Sequence, residues 1–196
     1  MTPGKTYHIY NHGNANDNLF RSDENHRYFL SQFGKYIQPI CNTYAYCLMP
    51  NHFHFLLRVK EESALATLTG FENRSGLAME EKIVQQFSNF FNSYTKAFNL
   101  RYNRKGKLFL LPFQRKPIAN QWHFLNTWKY IHYNPIHHGF VSDIFDWPFS
   151  SVHDYRLIKI DPILLQEARK LSESELNQSL SQEFIPNWND FLDFDY

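Results

Sequence analysis

Cysteine is scarce in this chain of 196 residues, which contains only Cys41 and Cys47. Both lie in one β-rich stretch, and an extended strand would hold them roughly 20 Å apart. A disulfide needs Cα atoms within about 7 Å of each other, so the two cannot pair within that strand. They also lack the CxxC spacing of a zinc site. The sequence therefore gives no basis for disulfide or zinc-thiolate chemistry.

Long hydrophobic runs are missing as well. There is no run of about 18 apolar residues, which excludes a typical transmembrane helix. The first residues, MTPGKTYHIY, lack the apolar segment of a signal peptide. We therefore expect a cytoplasmic protein that does not associate with a membrane. The hydrophobic fraction of 43% is that of a globular chain with a substantial core.

Acidic residues are absent between Glu81 and Asp143. Residues 1–155 carry 16 Lys+Arg against 11 Asp+Glu, whereas residues 156–196 carry 4 against 8. Such segregation attracts a polyanion, although a basic run is often only a solvated surface. We expect a basic domain over residues 1–155 and an acidic, helical C-terminal extension over residues 156–196.

The order of the elements indicates an α+β fold. Residue patterns predict strands at Thr6–His12, Asn42–Met49 and His52–Lys60, and shorter extended segments at Lys107–Leu111 and Arg115–Ala119. Helices are predicted from Ser22 or Asp23 to Pro39, at Met79–Leu100 and at Gln121–Tyr133, with two more around 162–171 and 172–180. The third helix is expected to end at Asn134-Pro135, because the residue before proline avoids helical geometry. We expect a ferredoxin-like sandwich, an antiparallel sheet with helices mainly on one face.

Two histidines alternate with phenylalanine at the start of the third predicted strand. Side chains two residues apart on a strand project to the same face, so His52 and His54 could reach one metal ion. Arg58 belongs to the same face. The HxH spacing alone is weak evidence, because such pairs are more often structural. The strand is otherwise apolar, however, and a buried imidazole needs a partner.

A tyrosine and an asparagine are one turn apart near the end of the helix predicted at Gln121–Tyr133. Tyr130 and Asn134 lie on the same helix face. Tyr130 is expected to point away from the apolar stripe, which contains Trp128 and Ile131. On these residues alone, a surface tyrosine followed by a capping asparagine remains the simpler interpretation.

Three separated blocks together resemble a known family. MPNHFHFLLRV and YIHYNPIHHGFV resemble the two motifs of the single-tyrosine HUH transposase superfamily, which includes insertion-sequence transposases and REP-associated tyrosine transposases. The intervening FNSYTKAFNLRYNRKGKLFLLPFQRKPI and the later DWPFSSVHDY resemble the REP-associated branch. The resemblance covers roughly residues 5–155, and its blocks occur in the family's order.

The resemblance implies a role for each matching residue. His52 and His54 match the metal-binding histidines, and Tyr130 matches the catalytic tyrosine. Asn134 stands where some relatives have glutamine or histidine as a third metal ligand. Tyr133 is a competing tyrosine without the motif match, as is the more distant tyrosine at position 7. Spare imidazoles at positions 132, 137 and 138 are expected to be structural or to contact DNA.

These roles imply a reaction on single-stranded DNA. Mg²⁺ or Mn²⁺ held by two imidazoles and an amide oxygen would polarise the scissile phosphate. Attack by Tyr130 would give a 5′-phosphotyrosine and a free 3′-hydroxyl, so the strand could be rejoined without a nucleotide cofactor. The expected partner is single-stranded DNA carrying a hairpin, of the REP or insertion-end kind. The expected phosphate-contacting residues are Arg58, Arg104, Lys105, Lys107, Arg115 and Lys116.

Two other functions remain open on the sequence. One is a DNA- or RNA-binding protein on the same fold that no longer cuts. The other is an unrelated HxH metallohydrolase in which water is the nucleophile and Tyr130 is dispensable. The resemblance to the REP-associated branch favours a monomer with a complete site, although insertion-sequence relatives act as homodimers.

Overall fold

A four-stranded antiparallel sheet forms the centre of the protein. The computed structural model describes residues 1–153. The strands are β1 (Thr6–His12), β2 (Cys41–Leu48), β3 (His52–Val59) and β4 (Gln114–Pro117), in the spatial order β2-β3-β1-β4. The α-helices are α1 (Asp23–Tyr36), α2 (Glu62–Leu65), α3 (Gly76–Arg101) and α4 (Gln121–His137). Short 3-10 turns lie at Asn14–Asn16, Ile144–Asp146 and Ser151–His153.

The β1–α1–β2–β3–α3–β4 order and the strand order confirm the predicted ferredoxin-like α+β fold. β2 and β3 form a hairpin through residues 49–51, where Met49 N–H donates to the His52 carbonyl. β3 also pairs with β1, which places His12 opposite His52 and Tyr10 opposite His54. The two central strands, β3 and β1, therefore each have a hydrogen-bonded neighbour along both edges.

One face of the sheet packs against α1 and α3. Their apolar stripes are unusually aromatic, and the rings interlock over the sheet; Phe29, for example, lies 4.6 Å from Phe90 and 5.3 Å from Phe53 between centroids. Phe53 and Phe55 point into this core from β3, as the period of two predicts. Offset and edge-on aromatic packing of this kind stabilises beyond the buried area alone. This core accounts for most of the high aromatic content.

The opposite face of the sheet packs against α4. Phe124 and Ile131 of α4 meet Ala45 and Cys47 of β2 and Leu56 of β3 in a second apolar cluster. The long helices α1 and α3 lie on one face as expected, and α4 adds a helix on the other. Because β3 is covered on both sides, its alternate residues enter two different cores.

The end of α4 differs from the prediction. The helix continues to His137 with Pro135 inside it, and the Asn134 carbonyl accepts from His138 N–H. Proline lacks an N–H and so removes one helical hydrogen bond, but the remaining bonds of this last turn hold the backbone. Asn134 is therefore held in helical geometry one turn after Tyr130.

The other element boundaries differ from the predictions in smaller ways. β2 begins at Cys41 and β4 at Gln114, each one residue early, and α3 is longer at both ends than Met79–Leu100. The segment Lys107–Leu111 forms no strand and makes only an isolated bridge from Phe109 to Gly13. The predicted acidic extension and its helices lie outside the described residues. Within residues 1–153, every helix is too short or too polar to cross a membrane.

Candidate active site

The site begins with two buried histidines on β3. His52 and His54 are 2% and 0% exposed, and both point to the face of the sheet that α4 covers. The preceding turn contributes Asn51, whose Oδ1 lies 2.8 Å from His52 Nδ1. The predicted common orientation of the two imidazoles is thus observed.

α4 contributes the tyrosine and the asparagine from above the sheet. Tyr130 and Asn134 are 1% and 0% exposed. The expectation that Tyr130 points away from the core is wrong: its face of α4 packs on the sheet, whereas Trp128 is only half-buried. The apolar residues alone do not reveal which face of α4 is buried, because that face also contains polar residues such as Thr127.

Asn134 lies between the two imidazoles. Its Oδ1 lies 2.9 Å from His52 Nε2, and its Nδ2 lies 3.5 Å from His54 Nε2. The Tyr130 ring stands edge-on to the His54 ring, with centroids 5.2 Å apart. The four predicted site residues therefore meet across the interface between α4 and β3.

Burial keeps these imidazoles neutral. Loss of water contact lowers the pKa of His52 to about 3, and the amide oxygen of Asn134, which accepts from the protonated ring, partly offsets this effect. Burial is also the main reason that the pKa of His54 lies well below its usual value, and the neighbouring His52 and His8 add to the effect. Neutral imidazole has an available nitrogen lone pair and is the form that binds metals.

The donor atoms have a spacing that suits one divalent ion. Neighbouring ligands of an octahedral ion with bonds of about 2.1 Å lie about 3.0 Å apart, close to the 2.9 Å between His52 Nε2 and Asn134 Oδ1. His52 has an oxygen near each ring nitrogen, Asn51 Oδ1 and Asn134 Oδ1. A neutral imidazole carries one N–H, so only one of the two oxygens can accept a hydrogen bond from the ring. The other oxygen faces the lone pair of the second ring nitrogen. A cation beside Nε2 is one arrangement that removes this conflict.

The third donor atom, Asn134 Oδ1, belongs to an amide and not to a carboxylate or a thiolate. Within residues 1–153, no group of three or more His, Cys, Asp or Glu side chains is placed to hold a metal ion. A site made of His52, His54 and Asn134 therefore depends on an amide oxygen, a ligand that suits Mg²⁺ or Mn²⁺.

The competing tyrosines lie outside this cluster. Tyr133 is 39% exposed, and its neighbour in sequence, Asn134, points inward. Tyr7 lies on the opposite face of the sheet, in the core beneath α1 and α3, where its hydroxyl accepts from Thr2 N–H. Of these three tyrosines, Tyr130 is the one that packs against His54.

The spare histidines in and just after α4 have different surroundings. His132 is fully buried, and its Nε2 lies 2.7 Å from Ser151 Oγ. His138 is exposed, yet its ring centroid lies 4.9 Å from that of His52. His137 is exposed beside His138. The first of these has structural contacts, and His138 borders the site.

Arg58 and Arg104, which are expected to contact DNA, form ion pairs within the protein. Arg58 pairs with Glu61 at 2.9 Å. Arg104 donates to Asp17 at 2.6 Å and to the carbonyl of Lys107 at 2.8 Å. These contacts give Arg104 a clear role in holding the turn after α3, and DNA contact by Arg58 and by Arg104 stays a prediction.

The other four basic residues are near or at the surface. Lys105 and Lys107 are exposed in the turn after α3, and Arg115 is exposed on β4. Lys116 is half-buried, opposite His8 in the β1–β4 pairing. Lys116 shares the histidine face because it lies opposite His8, whereas Arg115 lies opposite Ile9, which belongs to the core beneath α1 and α3. DNA contact by these residues also stays a prediction.

His8 is a site residue that the sequence did not single out. It is 1% exposed, and its Nε2 lies 3.1 Å from His54 Nδ1. Burial lowers its pKa to about 3, with smaller contributions from Lys116 and His123. Its alternation with Tyr10 and His12 placed all three on one face of β1, but only strand pairing shows that this face adjoins His54.

The comparison with solved structures supports this fold. A solved structure of a REP-associated tyrosine transposase bound to a REP hairpin superimposes with a TM-score of 0.56, covering 78% of this chain and 79% of that one. Its sequence identity of 18% makes this a likeness of fold.

The sequence of the chain is also similar to that of a Haemophilus influenzae protein provisionally described as a REP-associated tyrosine transposase. The two are 25% identical over 131 residues, which cover 64% of this chain and 69% of the relative. No protein-family model matches the chain. The resemblance to REP-associated tyrosine transposases is thus confirmed.

Proposed function

We propose that the protein is a transposase-like enzyme that nicks and rejoins single-stranded DNA next to a hairpin, with Tyr130 as its nucleophile. The observation that carries the proposal is the buried cluster of Tyr130, Asn134, His52 and His54, drawn from two elements distant in sequence. The similarity to REP-associated tyrosine transposases supports the same class of reaction.

The proposed reaction exchanges one ester bond for another. The Tyr130 hydroxyl oxygen forms a bond to phosphorus, the bond from phosphorus to the 3′ oxygen breaks, and the proton lost by tyrosine is balanced by one gained at the 3′ oxygen. The products are a 5′-phosphotyrosine and a free 3′-hydroxyl. The ester is retained, so a second 3′-hydroxyl can reverse the step and complete strand transfer.

His52, His54 and Asn134 would hold Mg²⁺ or Mn²⁺ in this proposal. The ion, when bound, would supply charge neutralisation at the scissile phosphate. The protein itself orients Tyr130 by packing its ring on His54 and by fixing the backbone of α4. Burial of the cluster excludes water, which would otherwise compete with the tyrosine as a nucleophile.

Hairpin DNA is the proposed partner because the structural neighbour was solved with a REP hairpin. Lys105, Lys107, Arg115 and Lys116 are the proposed phosphate contacts. We propose a monomer as the active unit, since all four residues of the cluster come from one chain; a homodimer is the alternative.

A denaturing gel tests the reaction class. Wild type, Tyr130→Phe and the matched control Tyr133→Phe are incubated with labelled hairpin oligonucleotides from the DNA flanking the gene, with Mn²⁺ or with EDTA. We expect a Mn²⁺-dependent, denaturant-resistant protein–DNA band with wild type and Tyr133→Phe, and none with Tyr130→Phe.

The other outcomes separate the alternative functions. Cleavage that persists in Tyr130→Phe would indicate a hydrolase in which water attacks. Tight hairpin binding by wild type without a covalent band or cleavage would indicate a binding protein that does not cut. Either result would remove Tyr130 from the role of nucleophile.

A further inference from the structure

We infer that His8 is a positioning residue for His54, fixing the ring proton of His54 on Nδ1 so that Nε2 presents its lone pair to the metal ion. The inference rests on the proposed function for the metal, but the hydrogen bond that carries it is a feature of the folded protein. It adds a residue of β1 to a site otherwise built from β3 and α4.

The rings of His8 and His54 are in direct contact. His8 Nε2 and His54 Nδ1 are 3.1 Å apart, and the rings are stacked at 29° with centroids 5.2 Å apart. Two ring nitrogens at this distance share one proton, so one nitrogen donates and the other accepts. Both side chains are almost completely buried, which disfavours a charged ring on either side.

The direction of the hydrogen bond follows from the opposite side of the His54 ring. Nε2 of His54 faces Asn134 Nδ2 at 3.5 Å, and an amide nitrogen can only donate. A proton on His54 Nε2 would make that nitrogen a donor that faces another donor, the amide nitrogen of Asn134. The proton therefore belongs on Nδ1, and His8 Nε2 accepts it.

The other histidine of the HxH pair has the same arrangement. Asn51 Oδ1 stands in the equivalent position beside His52 Nδ1. Each imidazole of the HxH pair thus has a partner on Nδ1, the arrangement that orients histidine ligands at metal sites.

The test combines a tautomer measurement with metal binding. Long-range ¹H–¹⁵N spectra of ¹⁵N-histidine-labelled protein distinguish Nδ1–H from Nε2–H, and loss of the signal in His54→Gln assigns His54. Mn²⁺ binding is followed separately by electron paramagnetic resonance of the free ion, without DNA.

We expect the Nδ1–H form of His54 in the wild type. His8→Leu removes the acceptor, so His54 should lose its single tautomer and Mn²⁺ affinity should fall about 10- to 100-fold. His8→Gln can place an amide oxygen near the position of Nε2 and should restore most of both. His26→Leu, the same change at a buried histidine elsewhere, should affect stability but neither the His54 tautomer nor Mn²⁺ affinity.

Three results would overturn the inference. One is an Nε2–H tautomer of His54 in the wild type, which requires no variant to fold. Another is a folded His8→Leu protein with wild-type tautomer and affinity. The last is Mn²⁺ binding that is unaffected by His52→Ala or Asn134→Ala, which refutes the proposed metal site itself; the tautomer result distinguishes that failure from the loss of the hydrogen bond.

Discussion

Asn134 is the residue on which the candidate site depends most. It is fully buried on α4, and its amide contacts both His52 and His54 from the opposite side of the interface. A carboxamide gives a metal one neutral oxygen, so the predicted ligand set carries no negative charge. That set leaves the charge of the ion available to a phosphate.

Replacing Asn134 with alanine tests this role. Asn134→Ala should abolish or strongly weaken Mn²⁺ binding and the covalent DNA band, since two imidazoles alone remain. It should also lower the free energy of unfolding by about 1–3 kcal/mol, because the buried imidazoles lose their partner. Metal titration and urea unfolding measure the two effects.

Asn126→Ala is the matched control for that variant. Asn126 is a buried asparagine on the same helix, and its amide donates to the Trp122 carbonyl. We expect a loss of stability and unchanged Mn²⁺ affinity. Equal losses of Mn²⁺ affinity in Asn126→Ala and Asn134→Ala would contradict a specific role for Asn134.

A second prediction at the residue scale concerns acid stability. His26 lies between Phe20 and Phe149, with centroids 4.4 and 3.7 Å away, and burial lowers its pKa to about 4. In the unfolded chain the same ring takes up a proton near pH 6.5. Between these values unfolding binds a proton, so the free energy of unfolding should decrease as the pH falls.

Substitution by phenylalanine isolates this contribution. His26→Phe keeps the stacking and removes the titration, so the pH dependence of stability between about 6.5 and 4 should become shallower by up to about 1.4 kcal/mol per pH unit. His153→Phe, at an exposed position, is the control. Unfolding curves with identical pH dependence in wild type and His26→Phe would refute the effect.

At the scale of elements, the segment of residues 146–153 holds α4 against the sheet. Trp147 Nε1 donates to the Leu48 carbonyl, and the Phe149 carbonyl accepts from Leu48 N–H. Ser151 Oγ accepts from Tyr46 N–H and lies 2.7 Å from His132 Nε2. This segment corresponds to the DWPFSS block, so part of that motif is explained by its contacts with β2 and α4.

Removing the Ser151 hydroxyl should therefore loosen α4. Ser151→Ala leaves Tyr46 N–H and His132 Nε2 without this partner, and we expect a loss of about 1–3 kcal/mol in the free energy of unfolding. Ser150→Ala removes only a long 3.4 Å contact with Val152 N–H and should cost less. Chemical denaturation compares the two, and an equal or larger cost for Ser150→Ala would show that the Ser151 contacts do not anchor the helix.

The elements also show what could be predicted from sequence. The common face of His52 and His54 follows from the local geometry of a strand, and the spacing of Tyr130 and Asn134 follows from that of a helix. The orientation of Tyr130 could not be predicted, because apolar residues do not recur at helical spacing on a helix face that also buries polar side chains. The contact between His8 and His54 was missed because strand pairing joins residues distant in sequence, here 46 positions apart.

At the scale of the whole molecule, basic residues divide into structural and surface groups. Arg104 is held by Asp17 and by backbone carbonyls, whereas Lys105 and Lys107 in the same turn are exposed. Counting basic residues in the sequence therefore overestimates how many of them can contact a DNA phosphate. Burial and internal pairing decide which of them are available.

Salt dependence of DNA binding distinguishes these groups. Lys105→Ala with Lys107→Ala should weaken hairpin binding, and each lost phosphate contact should reduce the slope of log affinity against log salt by about 0.7–0.9. Arg104→Ala should chiefly lower thermal stability. Unchanged affinity and slope in the double lysine variant, measured by fluorescence anisotropy across salt concentrations, would exclude this turn from the DNA interface.

The proposed function requires that Tyr130 becomes covalently joined to DNA. Mass spectrometry of the covalent product after digestion with protease and nuclease tests this step. We expect a nucleotide attached through its 5′-phosphate to the peptide that contains Tyr130, together with a released strand that ends in a 3′-hydroxyl. A nucleotide on another residue, or cleaved DNA with no nucleotide on any peptide, would contradict it.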